Sequence, residues 1–184
     1  IGILCGWRGG KTEAVLMRIS DLFLAFPGLV FALAVAAVLG GGIQNAIIAL
    51  AVISWPKFAR LARGLPLTQK ASPYLMAAKL SGSSTGKLLI KHILPNIAGP
   101  ILVTAVLDIG TMMMELAGLS FLGLGVQPPE ASWGNILYYA QSISVLSTKL
   151  YMWVPAGVVL VLTVLSINFI GDGIRDALDT KMKI

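Results

Sequence analysis

Asp108 and Glu115 are the only charged residues between Ile97 and Leu124, and Met112, Met113 and Met114 stand between them. Seven residues are about two helical turns, so a helix here carries both carboxylates on one face. Carboxylates beside soft thioethers suit a metal cation or metal chelate moving along a path. That reading makes Asp108, Met112 and Glu115 candidate path residues. The same residues also suit a structural role, with Asp108 paired to a buried polar group of a neighbouring subunit and the methionines as flexible apolar filler. Both readings stand at this point. His92, the single histidine, has no cysteine or second histidine beside it and reads as structural or interfacial. Cys5 is the single cysteine, so no intrachain disulfide can form, and it reads as a small apolar helix residue. Asp172, Asp176 and Asp179 share one face of a terminal helix and read as solvated. The sequence has no GxxxxGK[ST] loop to cradle nucleotide phosphates, no nucleophile paired with a base, and no run with metal-ligand spacing. The expectation is a chain that is not an enzyme, hydrolyses no ATP, and holds no metal or cofactor of its own.

Helices that cross a membrane would position these groups. Of 184 residues, 57% are hydrophobic and only 12% charged, with a mean hydropathy of +0.85. Soluble domains carry about 25% charged residues, and half that supply cannot cover a water-facing surface. The net charge of +6 raises the question of nucleic acid. Its basic residues fall in the gaps between apolar runs rather than on one polar domain, so no nucleic-acid partner is expected.

Four apolar runs read as spans: Leu22–Leu39, Ile43 to Trp55, Ile97 to Leu124, and Tyr151–Ile170. Pro27 should kink the first near its start. Gly40–Gly42 makes a short turn, and Gly171 with the charged tail Asp172–Ile184 should end the last. The opening run IGILCGW reads as the tail of a further span, which makes the chain the C-terminal portion of a longer protein. Pro128-Pro129 should bend the segment after Phe121, and Trp133 to Ser142 should form an amphipathic surface helix. If the spans alternate, thirteen of the fourteen basic residues lie on one side and only Lys149 on the other. The positive-inside rule puts the thirteen in the cytoplasm.

The central basic stretch, SPYLMAAKLSGSSTGKLLIKHILP at 72–95, is then cytoplasmic. Ser72 suits an N-cap and Pro73 the first helical position. Tyr74–Ser81 is a good helical run that Gly82 should end. Ser83 or Ser84 should cap a second short helix containing Lys87–His92, which should stop before Pro95. Ala77 and Ala78 carry so little side chain that another protein's groove can come close to the backbone.

This pattern resembles the EAA loop of ABC importer permeases, in which Glu-Ala-Ala is followed after three residues by Gly and later by Leu-Pro. Met76, Ala77, Ala78, Gly82, Leu94 and Pro95 occupy those places, with Met76 where an acid is usual. The segments at 18–40, 54–64, 119–137 and 171–179 extend the resemblance over nearly the whole chain, and are similar to the C-type permease of the peptide/nickel group. The run LDIGTMMMELAGLSFLGLG is closer to nickel permeases than to dipeptide ones. The resemblance implies an all-α integral membrane protein with a MetI-like helical bundle, about four full spans plus the end of another, and a short cytoplasmic coupling helix. It implies one transmembrane permease domain over residues 1–184, with the coupling loop at 72–95 inside it. The implied function is the pore-forming subunit of an ATP-driven importer for chelated nickel or short peptides, in a bacterial or archaeal inner membrane. Implied partners are a B-type permease, ATPase subunits that bind ATP and Mg, an extracytoplasmic substrate-binding protein and membrane lipid. Two rival classes compete. An ion-gradient-driven secondary transporter or channel would use Asp108 and Glu115 but leave the loop pattern unexplained, and a poreless structural subunit would leave the acids unexplained.

Overall fold

A computed structural model describes residues 1–69 and 72–178, and the described residues form helices and connecting turns. In chain order these are α1 Gly2–Arg8, α2 Gly10–Leu24, α3 Gly28–Leu39, α4 Ile43–Gln69, α5 Pro73–Leu80 and α6 Thr85–Leu88. A π-turn at Leu89–Ile93 leads into α7 Leu94–Phe121. After it come α8 Trp133–Tyr138, a 3₁₀ turn Tyr139–Gln141, α9 Ile143–Thr148 and α10 Leu150–Leu178. Three stretches, Ile43–Gly64, Thr85–Phe121 and Leu150–Leu178, are long and apolar enough to cross a membrane. The α2–α3 pair makes a fourth if it counts as one broken span.

The chain divides into two compact units. The first comprises Ile1–Ala25, Ser54–Thr104 and the described residues from Arg175 onward, and it holds every described Lys and Arg except Lys149. One of its cores is Leu75, Leu88, Ile93 and Ile97, flanked by Ile3, Trp7 and Ala78. The other is Cys5, Met17 and Ala59, flanked by Leu16 and Trp55. α1 lies close on α4: a Cβ on Gly6 would stand 2.5 Å from the Arg63 carbonyl oxygen, and one on Gly2 would meet that of Ala59. Two ion pairs, Arg60 with Asp21 and Arg63 with Glu13, join α4 to α2. The Phe23 and Trp55 rings meet edge to face at 5.6 Å between the same helices.

The second unit comprises Phe26–Ile53 and Ala105–Ile174. Its core is Ala32, Ala36, Ala46, Ala49, Leu50 and Leu119. Four alanines at helix contacts let α3 and α4 approach closely, as small residues do in membrane bundles. The turn between them is tied down where the Gly42 N–H donates to the Gly125 carbonyl at 2.9 Å.

Several expectations need correction. The run Leu22–Leu39 is not one helix: α2 ends at Leu24 and α3 starts at Gly28. Pro27 has φ −57° and ψ 126°, and a proline restricts the residue before it as well, so the chain leaves the helix there. Pro95 does not stop the second loop helix. The π-turn lets the Leu94 N–H bond back to Leu89, and Pro95 then falls in the first turn of α7, where its missing N–H leaves no bond unmade. Gly171 does not end the last span, because α10 runs on to Leu178. That glycine makes room for a neighbour, since a Cβ there would come 2.5 Å from Leu107 Cδ2. α4 likewise continues through Pro56 and Pro66 to Gln69. The opening run forms the seven-residue α1. Pro128-Pro129 is a cis peptide. Lys70, Asp179, Lys181 and Lys183, used above for charge and helix-face arguments, lie outside the described residues.

Candidate coupling site

α5 begins at Ser72, whose extended backbone makes it the N-cap, with Pro73 in the first turn. The Ser72 hydroxyl, however, makes no hydrogen bond among the described residues. Its carbonyl accepts from the N–H groups of Leu75 and Met76, both at 3.2 Å. Leu75 and Ala78, three apart and so on one face, turn into the Leu88, Ile93 and Ile97 cluster. Leu75 is 2% exposed. The opposite side offers Met76, Ala77 and Leu80, with Met76 52% and Leu80 90% exposed.

The helix ends in a Schellman motif. The Ser83 N–H donates to the Ala78 carbonyl at 3.2 Å and the Gly82 N–H to the Lys79 carbonyl at 3.1 Å. This closure needs Gly82 at φ +78°, a region that glycine enters without penalty. Ser84 then caps α6, its hydroxyl accepting from the Lys87 N–H at 3.5 Å.

Two features fix α5 to the start of α7. The apolar cluster runs from Leu75 to Ile97. Asn96, in the first turn of α7, donates its side-chain amide to the Tyr74 hydroxyl at 3.0 Å and to the His92 carbonyl at 2.8 Å. The Tyr74 and His92 rings lie 6.4 Å apart. Packed side chains and a hydrogen bond therefore join α5 to the head of α7.

Of the residues singled out above, Met76, Ala77 and Gly82 are exposed on α5 and its cap, while Leu94 and Pro95 are exposed at the head of α7. Ala78 is instead half buried against the cluster. Asp108, Met112 and Glu115 share α7 but seat differently. Asp108 is buried at 6% exposure. Met112 packs on the alanine core, and Glu115 lies against Gly28. Met113 lines a cavity of about 450 Å³ with Leu116, Trp133 and Leu160, and Met114 is exposed. Among the described residues no three His, Cys, Asp or Glu side chains gather. Sequence reasoning missed Leu75 and Leu80, which the helical period could have sorted into inner and outer faces. It also missed Tyr74 with Asn96, and a pair 22 residues apart leaves no local signal.

Long apolar helices joined by a basic loop with an exposed short helix define a multi-pass membrane component. The chain belongs to the family described as binding-protein-dependent transport system inner membrane component, whose model matches residues 1–184. It is therefore a multi-pass inner-membrane transport component and not an enzyme. It is 41% identical, over its whole length, to the dipeptide transport system permease protein DppC of Alkalihalophilus pseudofirmus and to the glutathione transport system permease protein GsiD of Pectobacterium atrosepticum. It is 45% identical over 95% of its length to GsiD of Shigella flexneri. The chain spans 60% of the length of the first two relatives and 57% of the third.

Proposed function

We propose that this chain is the C-type, pore-forming subunit of an ATP-driven importer, and that its cargo is a short peptide delivered by an extracytoplasmic binding protein. A B-type permease completes the pore, and cytoplasmic ATPase subunits carry the ATP and Mg. The observation that carries this reading is α5, a short helix closed by a glycine cap, with Met76, Ala77 and Leu80 bare and Leu75 anchored beneath. A rigid helix passes on a push that a loose loop would absorb. The positive-inside rule supports a cytoplasmic position, because the first unit holds all the described cations but one. An ATPase cleft receives the bare face, and Met76 meets it by apolar contact where relatives of the EAA pattern offer a carboxylate.

Peptide is preferred as cargo because the relatives above are named for dipeptide and glutathione transport. Chelated nickel would call on the three methionines, and these go to a core, a cavity wall and the surface. Asp108 is kept beside the passage on its depth alone, about 21 Å along α7 from Leu94 at 1.5 Å per residue. Acids at such depth are functional by default.

A photo-crosslinking amino acid at position 80 of the full-length protein, expressed with its neighbouring transport genes, tests the reading. An adduct with the nucleotide-hydrolysing subunit is expected. Adducts with lipid or with external protein alone would overturn it.

A further inference from the structure

α3 starts within an apolar segment and has nothing of its own to hold its first amides. Its N-cap is Pro27, which makes no side-chain cap bond, and no acid lies in its first turn. Every residue from Gly28 to Leu39 is apolar or glycine. The Phe31 N–H bonds back to the Pro27 carbonyl, so the N–H groups of Gly28, Leu29 and Val30 come before the first bond that the helix can make for itself. Where no water reaches, an unmet amide costs several kcal/mol.

α7 brings a carboxylate to this place. A Cβ built on Gly28 would stand 2.9 Å from Glu115 Oε1 and 3.9 Å from its Cδ. One turn further along α7, the Cβ position of Gly118 lies 3.4 Å from Leu29 Cδ1. Glu115 and Gly118 thus form a seat for the first two residues of α3. The seat exists because Gly28 has no side chain to fill it.

We infer that Glu115 is a positioning residue: its carboxylate holds the N-terminal end of α3 on α7 and fixes where the broken segment restarts after Pro27. A helix N-terminus carries about half a positive charge, and bonds from amides to a carboxylate are about twice as strong as neutral ones. Those two effects offset the cost of keeping an acid on an apolar helix. The role needs neither cargo nor ATPase, so it stands apart from the importer reading.

Hydrogen exchange on the full-length protein in nanodiscs tests the inference without any transport assay. Glu115→Ala should raise exchange of the amides at 28–31 about tenfold or more, the factor matching loss of a bond to a charged acceptor. Amides of α7 around 104–112 should keep their protection. Glu115→Gln, which keeps an acceptor but not the charge, should fall between. Gly28→Ala is the second route, and it decides the matter if Glu115→Ala does not fold. Its methyl would push aside the flexible end of Glu115 rather than backbone, so it should reproduce the local rise. Unchanged exchange at 28–31 in both alanine variants would overturn the inference, and so would a rise spread equally over α3 and α7.

Discussion

Replacing Gly82 with asparagine and with leucine, side chains with the same number of heavy atoms and the same branching, separates backbone strain from bulk at the coupling helix. Gly82 closes the Schellman motif at φ +78°, and a Cβ there would meet nothing within 4 Å. The Cβ itself therefore clashes with nothing among the described residues, and the left-handed conformation sets the penalty. For an ordinary L-residue that penalty is about 1–2 kcal/mol, or roughly 5- to 30-fold in the population of the closed cap. Asparagine enters the left-handed region several-fold more readily, so its penalty should be about half as large or less. The assay is uptake of labelled dipeptide per ATP hydrolysed, with the full-length subunit and its partners reconstituted in liposomes. Gly82→Leu should lower that ratio by about 5- to 30-fold while the protein stays assembled in the membrane, and Gly82→Asn should lower it by no more than about 2- to 5-fold, always less than the leucine variant. Equal losses for the two variants would refute the strain argument and point to crowding at a partner surface. Normal ratios in both would remove α5 as the route by which force enters.

The two faces of α5 should answer differently to truncation. Leu75→Ala should lower thermal stability by about 2–4 kcal/mol, as buried leucines do. Leu80→Ala should leave the melting temperature unchanged but weaken recovery of the ATPase in a pull-down. Tyr74→Phe and Asn96→Ala each remove one partner of the same bond and should cost about 0.5–1.5 kcal/mol. The double variant should lose clearly less than their sum, measured as a thermal-denaturation cycle. Gly171→Leu places bulk where Leu107 already lies and should cost at least about 1–3 kcal/mol from overpacking. Gly173→Ala, with nothing within 4 Å of its Cβ position, is the matched control in the same melt.

What was legible in the sequence rests on local physics. Apolar runs marked the spans because a bilayer demands them whatever the neighbours are. Ser72-Pro73 and Gly82 marked the ends of α5 because φ preference and a missing N–H act within a turn. The grouping of cations outside the spans followed from the same rule. The tertiary structure alone decided where local signals yield. α4 and α7 run through prolines, each of which costs about 3 kcal/mol in an isolated helix, and α10 runs through Gly171. Inside apolar surroundings every retained backbone bond is worth more than the local preference against it. Ala78 faces inward because Leu75 beside it fills a core built from residues up to 22 positions away. Glu115 meets Gly28 across 87 residues of chain. Such pairings depend on which helices pack together, and that is set by the summed fit of many side chains rather than by any short stretch of sequence.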